Sequence, residues 1–171
     1  VRVCNSRHPA EPGTLIDEQP VVAPGGVKAI AHKPGVTILQ VSSARMLGAY
    51  GFLRALFEIF DKHRTAVDVV STSEVSVSLS LEDTHALPDL IADLEGLGTV
   101  SVETGRAIVC VVGEGLRSTR GIAARIFGAL EDIDIAVISQ GASSINLTCL
   151  VPENDVNMAV ARLHRTFFGT P

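Results

Sequence analysis

GAYGFLRALFEIFDKHRTAVDVVSTSEVSVSLSL, from Gly48 to Leu81, returns in outline as TRGIAARIFGALEDIDIAVISQGASSINLTCLV, from Thr119 to Val151. Gly51 falls on Gly121 and Phe57 on Phe127. A unit written twice is a supersecondary module whose copies pack together, and two copies make a duplicated domain rather than a solenoid. In the first copy Phe52, Leu53, Leu56, Phe57 and Phe60 recur at three- and four-residue spacings, the stripe of a helix buried on one face. TAVDVVS and VSVSLSL follow as strands; Val75, Val77, Leu79 and Leu81 alternate with serines, which implies one buried and one wet face.

Working outward, VTILQVSS from Val36 is the strand before this helix. Behind it Thr84 can cap a second helix with Pro88 in its early turns and Leu87, Leu90, Ile91 and Leu94 inside. TVSVET then returns as a strand, so the first module reads βαββαβ. The second begins with AIVCVVG at Ala107. Ser118 or Thr119 can cap a helix carrying Ile122, Ile126, Phe127 and Leu130. Strands IDIAVIS and INLTCLV come next, then a helix from Asp155 with Val156, Val160 and Leu163 inward. That order, βαββα, is one strand short.

Val27 to Ala31, an apolar run cut off by Pro34-Gly35, is the candidate for the missing strand, since it removes an unpaired edge. The first module, 36–104, is then inserted into a discontinuous second one, 27–35 plus 105–168. Pro9 to Gly26 has the proline- and glycine-rich composition of a connector, and VRVCNS reads like a strand entered in its middle, so a longer polypeptide is expected.

The chain has 171 residues, 46% of them apolar, room for two small cores. Aromatics are 4% and Trp is absent, so the cores are aliphatic. A net charge of -5 and no Lys/Arg cluster argue against a phosphate backbone as partner. βαββαβ is also the order of RNA-recognition modules, but those stack bases on strand aromatics, where this chain carries Val, Ser and Leu. Cys4, Cys110 and Cys149 are isolated and read as free thiols in a reducing, cytoplasmic setting. No apolar run approaches membrane-spanning length, so no membrane partner is expected. Gly113-Glu-Gly115 with Gly121 lacks dinucleotide-loop spacing, the five histidines have no ligand spacing, and no nucleophile motif occurs. The expectation is no cofactor, no metal and no catalytic residue. A hydrolase of acyl phosphates on this topology would have to draft Arg45 or Arg117 as its anion-binding arginine.

Chemistry points instead to the turn Met46-Leu-Gly-Ala-Tyr-Gly-Phe-Leu53. Its glycines let the backbone approach a ligand, and first-turn amides can hold a carboxylate. Asp68, in the middle of the next strand, and Glu74, in the turn after it, can meet an ammonium group. Together these are the two ends of an amino acid. The plainer reading is that the glycines serve close packing and Asp68 is a solvated strand residue.

MLGAYGFL (46–53), VDVVSTSEVSVSLSL (67–81) and SQGASSINLTCLV (139–151) resemble the C-terminal regulatory region of aspartate kinases, and most the lysine-sensitive type. The resemblance implies an α+β fold: two ferredoxin-like βαββαβ ACT domains side by side, antiparallel sheets with helices on one face, the first inserted into the second. Residues 1–26 would lead out of the kinase domain. The implied function is non-catalytic feedback regulation and homodimerisation, with an end-product amino acid, lysine or alternatively threonine, bound near the subunit interface. Carried over position by position, the contacts are Met46, Gly51, Phe52, Leu53, Val67, Asp68, Ser73 and Glu74, with the amides of Phe52 and Leu53 on the carboxylate and Asp68 on an amino group. Ala49 and Ala66 stand where lysine-binding relatives tend to carry serines. The second module has Ala136 at the counterpart of Asp68, which marks its turn as structural. A pair that only dimerises is the architectural alternative.

Overall fold

The computed structural model describes residues 1–16 and 26–169; half of the connector expected at 9–26 lies outside them. A two-residue ladder, β1 (Arg2–Val3) with β2 (Thr14–Leu15), stands apart, so the connector's proline-rich stretch contributes one paired edge. The remaining strands form one antiparallel sheet: β3 (Val27–Ser42), β4 (Val70–Thr72), β5 (Ser76–Leu81), β6 (Thr99–Gly113), β7 (Val137–Gln140) and β8 (Asn146–Pro152), in the spatial order β4-β5-β3-β6-β8-β7. The helices are α1 (Phe52–Lys62), α2 (Leu87–Leu94), α3 (Ile122–Ala129) and α4 (Val156–Phe168).

Two strands serve both halves of the sheet. The later part of β3 pairs with β5 and with Thr99–Glu103, while its first part, Val27–Lys33, pairs with Ile108–Gly113. Val27 to Ala31 therefore lies beside the second module, as the missing strand requires. The breaks expected at Pro34-Gly35 and between Thr104 and Ala107 are absent; each is a kink within one long strand. Gly35 (φ 73°) and Gly105 (φ 69°) are left-handed there, and the register slips between Lys33 and Ile38. A bulge accepts the residue that cannot donate, so proline bends the ladder without ending it.

Alternation along the strands sends two sets of side chains under the helices. Leu39, Val41, Val77, Leu79 and Leu81 meet Leu56, Phe60, Leu90 and Leu94 in one core. Val109, Val111, Leu147, Cys149 and Val151 meet Ile122, Ile126, Val156 and Leu163 in the other. Burial pushes the Cys149 thiol up to about 12, with Cys110 adding to the shift. A third cluster joins the halves from the opposite face: Val36, Ile38, Val137 and Leu150, with Val69 and Ile108 packed against it. On that side the outer strands β4 and β7 approach one another, so the sheet coils back on itself.

Local details depart from expectation. Ser80, on the face expected to be wet, is buried at 2% exposure because its hydroxyl oxygen accepts the Val69 N–H at 2.9 Å. That side-chain bond replaces a ladder bond, so β4 begins only at Val70 and Asp68 precedes the strand. Thr84 does not cap α2 by its side chain; its carbonyl accepts the Leu87 N–H at 3.1 Å, and Ala86 is the cap. Neither Ser118 nor Thr119 caps α3, which starts from left-handed Gly121.

Candidate functional site

The turn after β3 is built from short-range bonds. Ser43 Oγ accepts the Arg45 N–H at 3.3 Å and starts a 3-10 turn, Ala44–Met46, whose last carbonyl takes the Ala49 N–H at 3.2 Å. Gly48 (φ 66°) and Gly51 (φ 83°) then reverse the chain. A Cβ at either would meet open space, so the positive φ and not crowding calls for glycine. No side chain caps α1, whose first carbonyl, that of Gly51, receives Ala55 N–H at 3.0 Å. The amides of Phe52, Leu53 and Arg54 consequently precede the helix's own acceptors. They open on a groove of about 390 Å³ lined by Met46, Ala49, Tyr50, Gly51, Phe52, Leu53 and Arg54. Amide donors with a helix dipole behind them suit a carboxylate.

The structure thus brings four of the eight expected contacts together, Met46, Gly51, Phe52 and Leu53. The other four lie elsewhere on the same half. β4 and β3 both run antiparallel to β5, so they are parallel to each other, and the start of β4 is remote from the end of β3. Asp68 N–H donates to Ser80 O at 3.3 Å, and Ser80 stands opposite Ile38, four residues before Ser42, about 13 Å down the strand. Its carboxylate is 3.9 Å from Lys33 Nζ, and Lys33 also pairs with Glu82. Val67 packs against the first core. Ser73 is occupied in the hairpin turn: its Oγ accepts the N–H groups of Val75 and Ser76 at 3.3 and 3.0 Å and bonds Ser76 Oγ at 2.7 Å. Glu74, exposed, sits in that hairpin. The hairpin tip abuts the glycine turn through Ser43 N–H to Val75 O at 2.8 Å.

Residues outside the expected set also shape these places. Tyr50, the chain's only tyrosine, is fully exposed on the groove rim; an aromatic between two turn glycines was the available signal. Arg54 lines the groove with its guanidinium on Glu58 at 3.0 Å. Lys33 was hidden by the Pro-Gly that followed it. At the other end of α1, Lys62 Nζ and His63 Nε2 both reach Asp93 Oδ2 of α2 at 2.6 Å. The bond from Lys62, then that from His63, holds the Asp93 carboxyl below the usual carboxylate range. Of the arginines a hydrolase would draft, Arg117 donates to Gly141 O at 3.4 Å, while Arg45 lines a separate groove with Glu95.

The ACT domain family matches residues 109–167. Aspartokinase 3, chloroplastic, of Arabidopsis thaliana is 37% identical over 99% of this chain and 32% of its own length. A structure described as a C-terminal regulatory domain of aspartate kinase from Porphyromonas gingivalis W83 superposes with a TM-score of 0.74 at 38% identity, covering 82% of this chain and 96% of that one. Escherichia coli aspartokinase III, solved with lysine and aspartate in the T-state, gives a TM-score of 0.76 at 37% identity over 90% of this chain and 35% of its own. The chain spans about a third of the length of the curated relatives it matches.

Proposed function

The chain belongs to the family of aspartate kinase C-terminal regulatory regions, and we propose that it is the non-catalytic allosteric module of such a kinase, binding an end-product amino acid to inhibit phosphorylation of aspartate. L-Lysine is the first candidate, because the solved relative from E. coli holds lysine in its T-state; threonine is the second, because Ala49 presents a methyl group and no hydroxyl to the groove. The observation that carries the reading is the uncapped start of α1 opening on that groove. Residues 36–104 are the sensing domain, inserted into a supporting one of 27–35 plus 105–168, and 1–26 lead out of the kinase domain. A cytoplasmic setting is part of the proposal, supported by the free thiols of Cys4, Cys110 and Cys149; among the described residues no helix is long and apolar enough to cross a membrane.

Met46, Gly51, Phe52 and Leu53, with the Ser73–Glu74 hairpin beside them, stand at one end of the sheet half, and Asp68 lies about 13 Å down the strands from them. A homodimer with an isologous interface resolves this, since a twofold axis sets one copy's glycine turn against the other copy's β4 start. Tyr50 is fully exposed, and Leu53 and Phe57 of α1 are two-fifths exposed, on the face this pairing covers. Inhibition follows if the ligand binds one arrangement of the pair better than the other, commonly by about 1–3 kcal/mol.

Isothermal titration with lysine, threonine, methionine and S-adenosylmethionine tests the proposal. Heat is expected from lysine or threonine, and silence from all four removes the ligand claim. Asp68→Ala should weaken the binding that is seen by about 1.5–3 kcal/mol, the worth of a charged hydrogen bond, while the dimer's sedimentation stays unchanged. A dimer indifferent to every effector leaves the architectural role.

A further inference from the structure

We propose that Lys33 is the built-in counter-ion of Asp68, holding the place an effector's ammonium group takes and so setting the affinity of that half of the site. The inference rests on the reading of Asp68 as the ammonium contact. Lys33 Nζ stands 3.9 Å from Asp68 Oδ2 and is also paired with Glu82. Among the described residues no other cation lies within ion-pair distance of Asp68. One ammonium group is thus shared between two carboxylates, and the side chains of all three residues are roughly half exposed.

The shared arrangement has a mechanical consequence. A ligand cation arriving at Asp68 meets a like charge and has to displace it, but Lys33 already holds Glu82, so the displaced charge keeps a partner. The exchange is therefore shallow. Half-exposed pairs are worth little in a wet environment, so Lys33 tunes the site by about two- to five-fold and does not lock it.

Its location also ties the exchange to the junction of the two halves. Lys33 stands opposite Ile108 of β6, just before the Pro34-Gly35 bulge. Val69, next to Asp68, and Ile108 both pack on the cluster of Val36, Ile38, Val137 and Leu150 that joins the halves. Both members of the ion pair therefore border the same buried cluster, and moving one from the other is felt where the halves meet. A ligand that separates them favours the arrangement of the junction in which they are apart.

Titration of L-lysine, or of L-threonine if that is the effector found, into the unaltered chain and four variants tests this. Lys33→Met is expected to tighten binding two- to five-fold, and Glu82→Gln, which releases Lys33 to Asp68, to weaken it by about two-fold. Lys28→Met, on the same strand as Lys33 but breaking the pair with Glu114 beyond β6, is expected to change nothing, and Lys33→Arg to stay near the parent. Parent binding left unaltered or weakened by Lys33→Met overturns the counter-ion role and leaves the Asp68 reading standing. A Lys28→Met shift as large as that of Lys33→Met does the same, because it would report general charge alone. No heat from the parent or from Lys33→Met removes the reading of Asp68 and the inference with it. If Lys33→Met does not fold, Glu82→Gln decides by its sign.

Discussion

The two glycine turns begin alike and end differently. Each follows the C-terminal end of a long strand, holds a short 3-10 turn, and starts a helix from a left-handed glycine, Gly51 or Gly121, with no side-chain cap. The second is braced. Leu116 is buried, the hydroxyls of Ser118 and Thr119 donate to Gly115 O at 3.1 and 3.0 Å, and Arg117 reaches Gly141 O. The first has Leu47 at 64% exposure and Tyr50 fully outside. Beneath the turns the sheet repeats itself: Asp68 N–H bonds Ser80 O where Ala136 N–H bonds Leu150 O, and Ser80 and Leu150 stand opposite Ile38 and Ile108. The same backbone thus carries a carboxylate in one half and a methyl in the other. Duplication preserved the scaffold, and the side chains divided closure from access.

If that scaffold is one body, its cores should fail together. Leu56→Ala and Ile126→Ala remove fully buried, equivalent side chains under the two halves of the sheet. Each should cost about 2–5 kcal/mol. Because β3 and β6 run through both halves, either variant should shift a single urea transition, and thiol labelling of buried Cys149 should follow circular dichroism in both. Cys149 exposed early by Ile126→Ala, with the first half still folded, would separate the halves and break the comparison at its base.

The equivalence of the cores was legible because helical and strand periodicities survive in side chains that have only one place to go. The long strands were not. Pro34-Gly35 and Gly105 carry the signs of chain breaks, yet a bulge satisfies proline's missing N–H and glycine's positive φ equally well, and only pairing across the sheet separates the two. Caps failed for a related reason: at Thr84, Ser118 and Thr119 the hydroxyl chemistry fits, but glycine conformation and a carbonyl three residues back had already settled the helix start. The candidate site was half legible. MLGAYGFL placed Met46, Gly51, Phe52 and Leu53 around one groove, since a turn is local. Asp68 is set by strand direction, and its neighbours Lys33 and Glu82 come from segments far off in sequence.

The turns themselves can be tested at equal cost to the fold. Gly51→Ala and Gly121→Ala each force a side chain into left-handed backbone, at about 1–2 kcal/mol, so their melting temperatures should fall alike. Only Gly51→Ala should also weaken effector binding, because its turn alone opens on the groove. A loss of binding with Gly121→Ala would give the braced turn a share in sensing, and unchanged binding with Gly51→Ala would take that share from the open one.

The smallest expected difference lies at the far end of α1. Asp93 receives both Lys62 and His63, so the end of α1 is fastened to α2 by one carboxylate. In the other half Arg162 of α4 pairs at 3.0 Å with Asp132, in the turn after α3, and Arg125 of α3 donates to Thr166 O of α4 at 3.2 Å. With its pKa depressed in the folded protein, Asp93 contributes stability that is present above the ordinary carboxylate pKa and is lost as pH falls through the lower, folded value. Asp93→Asn should therefore reduce stability at pH 6 and flatten the decline between pH 5 and pH 3. Melting curves across this range decide it. Parallel acid limbs for both proteins would mean that the fastening adds nothing, and that α1 is held by its apolar packing, with Leu56 and Phe60 at its centre.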